Sequence, residues 1–365
     1  MPIPARSALS NPARIAAGLA CIAASGCGSS SAGSGSDQAS VARSMQQTLR
    51  ADLLTLNQAA VKLQAAAPSP TGRGWDGTAD ATAIAAMKAA WVQARTTYEH
   101  VEGAIAPIFP DADLAIDERY DGFLATLGPA GDADLFDGKG VTGMHAIERI
   151  LYSDVIPARV VTFEATLPGY VPAAFPATEA EATELKAGLA AQLVTDTQAL
   201  LDGWSALTNL DVSGAFEGLI GLMHEQQEKV NNAASGEEES RYSQRTMADL
   251  RANLDGTRTI YGLFRDWLRS RPAAAGLPAG TNVDGTIMAG FGALGIIYAS
   301  VTGDAIPAPP STWSAEAPSA DDLQTPFGGL YEAVHQAFDP SMAGSVVRNM
   351  NQGAALLGIP GFEAQ

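Results

Sequence analysis

Apolar residues recur along most of this chain every three or four positions, the spacing that turns one face of an α-helix toward a core. In the first such stretch, about 41–67, Met45, Leu49, Leu53, Leu56, Ala60 and Leu63 form one stripe. Pro68, Pro70, Gly72 and Gly74 end it, because proline and glycine interrupt regular structure. Ile84, Met87, Trp91 and Tyr98 mark a second helix over about 82–101. A short helical piece is expected at 114–127, a loop at 128–140 and a helix at 141–152. Residues 157–176, with prolines at both ends, are expected to be irregular. Long helices follow at about 179–207, 212–232 and 245–269. An apolar segment at 286–300 carries Gly290, Gly292 and Gly295. It is shorter than the ~20 residues a bilayer requires, so it is expected to be buried core. A linker at 307–318 precedes a last amphipathic pair over 323–357, interrupted near Pro340. No long β-branched alternation appears. The pattern predicts an all-α protein of two helical bundles, 41–170 and 171–365.

The chain has 365 residues, enough for one large domain or two ordinary ones. Hydrophobic residues are 46% and charged residues 17%, which excludes wholesale disorder. A mean hydropathy of +0.03 excludes a multi-span membrane protein. Forty acidic residues face 22 basic ones, for a net charge of −18. Such a surface repels nucleic acid and attracts cations. The two cysteines, Cys21 and Cys27, both lie in the first 30 residues. The folded part therefore has neither a disulfide framework nor a cysteine zinc site.

Residues 1–26 have the layout of a secretory signal of the lipoprotein kind. Arg6 and Arg14 precede the apolar small-residue run 15–24, and Ala24-Ser25-Gly26 leads into Cys27. Cleavage before Cys27 would leave its thiol to carry lipid, with the Gly/Ser-rich stretch 27–40 as a tether. The expected address is the cell envelope, lipid-anchored and periplasm-facing. Gly28 after the cysteine mildly favours an outer membrane.

Four histidines occur: His100, His145, His224 and His335. His145 and Glu148 are three apart in a predicted helix and share a face, as a metal-binding pair requires. Two ligands do not complete a site. Glu99 and Glu102, again three apart, and Asp117 and Glu118 are the upstream candidates. By spacing alone the pair is equally compatible with a solvated helix face. The pattern is neither H-E-x-x-H nor a pair of Glu-x-x-His motifs, so zincin and di-iron templates fit poorly. His224-Glu225-Gln226-Gln227-Glu228 puts Glu228 where a zincin needs its second histidine. No G-x-S-x-G elbow, P-loop, or dinucleotide fingerprint following a strand is present. Trp91, Tyr98, Tyr242, Tyr261 and Trp267 sit at helical spacing and are expected in the core.

Two ordered regions resemble the imelysin-like family, which includes the periplasmic component of Efe-type iron uptake. The first comprises Trp91, Arg95, Tyr98-Glu99, Ala106-Pro107, Ala115-Ile116-Asp117 and Gly143-Met144-His145-Ala146-Ile147-Glu148 with Leu151. The second comprises Ser235-Gly236-Glu237-Glu238, Arg241-Tyr242-Ser243, Asp249-Leu250, Ala252-Asn253, Gly256 and Tyr261. The resemblance implies a two-lobed, all-α fold with antiparallel four-helix-bundle-like halves. It implies that G-x-H-x-x-E binds metal through His145 and Glu148, with Glu99 and Asp117 as further ligands. Met144 replaces the aromatic residue often found before the motif's histidine, and no cupredoxin-like domain precedes the helices.

Three functions follow as expectations. The first is a lipid-anchored metal-binding protein for iron uptake, with zinc or copper also accommodated and an iron permease as partner. The second is an imelysin-type metallopeptidase, and the third a non-enzymatic surface interaction protein.

Overall fold

The structure is a computed structural model and describes residues 31–362. The expected signal segment and Cys27 lie outside the described residues. The first half contains α1 (Ser31–Ala66), α2 (Ala81–Ile105), α3 (Pro110–Asp117), α4 (Tyr120–Leu127), α5 (Gly143–Leu151), α6 (Ala158–Glu164), α7 (Glu179–Ala187) and α8 (Leu189–Ala206). The second contains α9 (Val212–Asn232), α10 (Thr246–Arg269), α11 (Gly280–Ser300), α12 (Ala320–Leu323), α13 (Pro326–Phe338) and α14 (Val346–Leu357). Among the described residues the only β feature is an isolated bridge between Ala274 and Leu277. The fold is all-α, as the apolar spacing predicts.

The stripe on α1 sets the first bundle. Met45, Leu49, Leu53, Leu56, Ala60 and Leu63 are all fully buried. Each leucine so placed stabilises the fold by roughly 1.5–3 kcal/mol. Helix α1 begins at Ser31, inside the stretch 27–40 expected as a tether.

Helices α7 and α8 lie beyond residue 170, yet they pack on α1. Gln46 Nε2 donates to Leu207 O (2.8 Å) and Trp204 Nε1 to Gln46 O (3.0 Å). Asn57 donates to Thr197 Oγ1 (3.1 Å), and Lys186 Nζ to Ala67 O (3.0 Å). Part of the expected second bundle, 171–365, thus packs on the first helix of the expected first bundle, 41–170.

Other differences are local. The long helix expected at 179–207 divides at Gly188, where Leu189 N–H bonds Phe136 O of the neighbouring loop (3.0 Å). The piece expected at 114–127 is two helices broken at Glu118-Arg119. The stretch expected as irregular contains α6. The linker at 307–318 is anchored, with Trp313 packing edge-on against Phe327 and Tyr331.

Helix α11 is the one described helix long and apolar enough to cross a membrane by length and composition. Val283, Ile287, Phe291, Leu294 and Tyr298 bury one face. The other face is open, and Ile296 is 74% exposed. The segment is thus core on one side only.

Candidate metal centre

Helices α2, α3 and α5 of the first half meet α9, α10 and the 233–245 loop of the second around one buried group of charged side chains. On α2, Trp91, Arg95, Glu99 and Glu102 follow each other at one-turn spacing along a single face. Trp91 Nε1 donates to Met144 O (2.9 Å), which fixes the first turn of α5 against α2.

Gly143 sets how closely α5 approaches α3. Its φ is +79°, and a Cβ there would lie 2.6 Å from Ile116 O and 2.8 Å from Ala115 O. Only glycine allows that contact, which brings His145 to within reach of Asp117 at the end of α3.

His145 lies between three carboxylates. Its Nδ1 is 2.9 Å from Glu148 Oε2. Its Nε2 is 3.3 Å from Glu239 Oε1 and 3.6 Å from Asp117 Oδ1. Burial and the Arg95 charge pull the imidazole down, but Glu148, Glu239 and Asp117 outweigh them and raise it to about 9. Burial alone would push Glu239 up. Lys229, His145 and Arg95 reverse that and hold it well below the usual carboxylate range.

Two buried cations offset part of the acidic charge. Arg95 pairs with Asp117 and Glu99, reaches Glu239 at 3.0 Å, and has Asp249 at 3.7 Å. Lys229 on α9 lies 3.2 Å from Glu99, 3.5 Å from Glu225, 3.6 Å from Glu102 and 3.8 Å from Glu239 Oε2.

One face of α10 completes the wall. Asp249 faces Arg95, while Asn253 donates to Glu99 O and Glu102 Oε2 (both 3.0 Å). One turn on, a Cβ at Gly256 would lie 2.0 Å from His100 O, so this glycine permits the close α2–α10 crossing.

The 233–245 loop is tied to the first half at several points. Arg119 Nη1 donates to Glu237 O (3.1 Å), Arg241 to Asp121 (2.6 Å) and Arg159 to Glu238 (2.5 Å). Ser243 N–H donates to Glu148 Oε1 (2.8 Å). Gln244, with φ 56°, is the one described non-glycine residue in the left-handed region. Its amide bonds Glu238 and Arg241 O (both 2.7 Å), which hold that conformation. Glu239 is thereby pressed inward.

Next to this group opens a cavity of about 300 Å³. Seven carboxylates line it: Glu102, Asp113, Asp117, Glu118, Glu225, Glu228 and Glu239, with Lys229 and Arg119. Desolvation within this acidic cavity, with neighbouring carboxylates adding to it against the pull of Lys229, raises Asp113 to about 6 and Glu225 to about 7.

Asp117, His145 and Glu239 each offer a ligand atom, all within 4.8 Å of one another. Two carboxylates and an imidazole suit iron(II) or zinc, which accept hard oxygen with borderline nitrogen donors. Of the residues expected from sequence, His145 and Asp117 belong to this triad. Glu148 lies behind the imidazole on Nδ1, where it orients the ring. Glu99 lies between Arg95 and Lys229 and pairs with both. Glu239 was not among the expected ligands. The only hint in sequence is the run of three glutamates 237–239, which says that a turn is acidic but not which residue faces inward.

The fold matches an imelysin-like protein from Psychrobacter arcticum 273-4 with a TM-score of 0.57 at 13% identity. The match covers 90% of this chain and 97% of that one. No curated protein matches the chain in sequence. The family model described as imelysin matches residues 42–285, a span that holds every residue of the triad, and the chain belongs to the imelysin family.

Proposed function

We propose that this protein captures a metal ion, iron in the first place, at the cell envelope and hands it on for uptake. The observation that carries the reading is the convergence of Asp117, His145 and Glu239 beside a carboxylate-lined cavity. Fixed negative charge draws cations into such a cleft. The triad supplies the donors, and Glu148 holds the imidazole in place. Binding and release require no general base or nucleophile, so iron is cargo here. The Cys27 sequence context supports a lipid anchor and a periplasm-facing location. An iron permease is the natural recipient.

Elemental analysis and iron(II) titration of the purified protein, beside a His145→Ala, Glu239→Ala double variant, test this. The expected result is near-stoichiometric metal in the parent protein and loss in the variant. Equal metal content in both, or none in either, would remove the triad as the cargo site.

A further inference from the structure

The two buried cations of the cluster are held differently. Arg95 is closed in by Asp117, Glu99, Glu239 and Asp249, with 1% of its side chain exposed. Its planar guanidinium is fixed by these partners. Lys229 lines the cavity and ends in a compact ammonium on a flexible stem. It reaches inward to Glu99 and Glu239 and outward to Glu225, whose side chain is 41% exposed.

Glu239 links this ammonium to the triad. Its Oε1 faces His145 and Arg95, and its Oε2 faces Lys229. A cation drawn to the triad therefore shares one carboxylate with Lys229. The adjoining cavity of about 300 Å³ has room for the ammonium to move toward Glu225; a water molecule takes roughly 30 Å³.

We propose that Lys229 is a tethered counter-cation, competing with captured metal for Glu239 and moving toward Glu225 as metal enters, so that it sets affinity and eases release. This rests on the metal-capture reading. The displacement is an exchange of one cation for another at the same carboxylates, without any covalent step. A site meant to deliver its cargo gains from such a competitor, because affinity is limited from within.

Zinc(II) titration by calorimetry of the parent protein, Lys229→Met and Lys229→Arg tests it. Like charges this close in a protein interior change affinity by about tenfold or more. Lys229→Met is therefore expected to bind zinc at least about tenfold tighter, and Lys229→Arg to remain near the parent value. Removing the ammonium also leaves Glu102 without its cation and Glu99 with Arg95 alone, which threatens folding. A Lys229→Met, Glu102→Gln variant reduces that charge imbalance and carries the same expectation. Circular dichroism and thermal melting establish which variants fold. Unchanged or weaker affinity in a folded Lys229→Met or double variant overturns the proposal, as does equal tightening by Lys229→Arg. Either of these with zinc binding still abolished by His145→Ala leaves the capture reading standing. Absence of zinc and iron(II) binding alike from the parent protein and from every Lys229 variant overturns both.

Discussion

Replacing Gly143 with alanine separates two contributions that the motif glycine makes. Its φ of +79° costs an L-residue about 1–2 kcal/mol. In addition, the new Cβ would meet the backbone oxygens of Ile116 and Ala115 at 2.6 and 2.8 Å. Neither oxygen belongs to a side chain that can rotate away, so α5 must shift from α3. Overpacking of this kind adds about 1–3 kcal/mol, for a total near 2–5 kcal/mol. Gly358 is the matched control. It has φ +72° and caps α14, and a Cβ there would meet nothing within 4 Å. Gly358→Ala therefore should lose only the conformational part, about 1–2 kcal/mol. Urea unfolding of both variants measures the difference, and metal titration reads the geometry. Gly143→Ala should also weaken metal binding more than about tenfold, because His145 moves relative to Asp117. Equal destabilisation by the two substitutions, with metal affinity intact in Gly143→Ala, would refute the claim that this close approach positions the centre.

Two further predictions concern pH. Glu148 helps raise His145 to about 9 from an ordinary value near 6.5, so their pairing stabilises the fold fully below pH 6.5 and fades as pH rises through 9. Glu148→Gln should cost about 2 kcal/mol at pH 6, as for a hydrogen bond to a charged group, and distinctly less at pH 10. A deficit independent of pH in urea unfolding would contradict this. His100 is raised by its bond to Asp52, against some desolvation, with Asp255 adding to the effect. His100→Gln should lose under about 1 kcal/mol at pH 5.5, since the group is partly exposed. That gap should close as pH rises through the elevated value, and a gap that widens would reverse the assignment.

The residues of α10 show how far a sequence motif reaches. Asp249, Asn253 and Gly256 were visible as a pattern, and their spacing puts them on one helix face. Their roles against Arg95, Glu102 and the His100 carbonyl became clear only where α10 crosses α2. The same holds for Glu148. Its three-residue offset from His145 ensured that the two would meet, but not on which ring nitrogen.

By itself the sequence determined what depends on local periodicity and composition. The apolar stripes of α1 and α2, the helical character throughout, the acidity and the proximity of His145 to Glu148 all follow from residues a few positions apart. Tertiary structure alone decided that α8 packs on α1, that Glu239 turns inward while its neighbours hold the loop, and that Lys229 and Arg95 offset part of the acidic charge of the centre. Those outcomes depend on side chains far apart in the chain that meet across a bundle interface. Helical spacing fixes the direction of each side chain on its own helix. Only the packing of one helix against another fixes what that side chain faces.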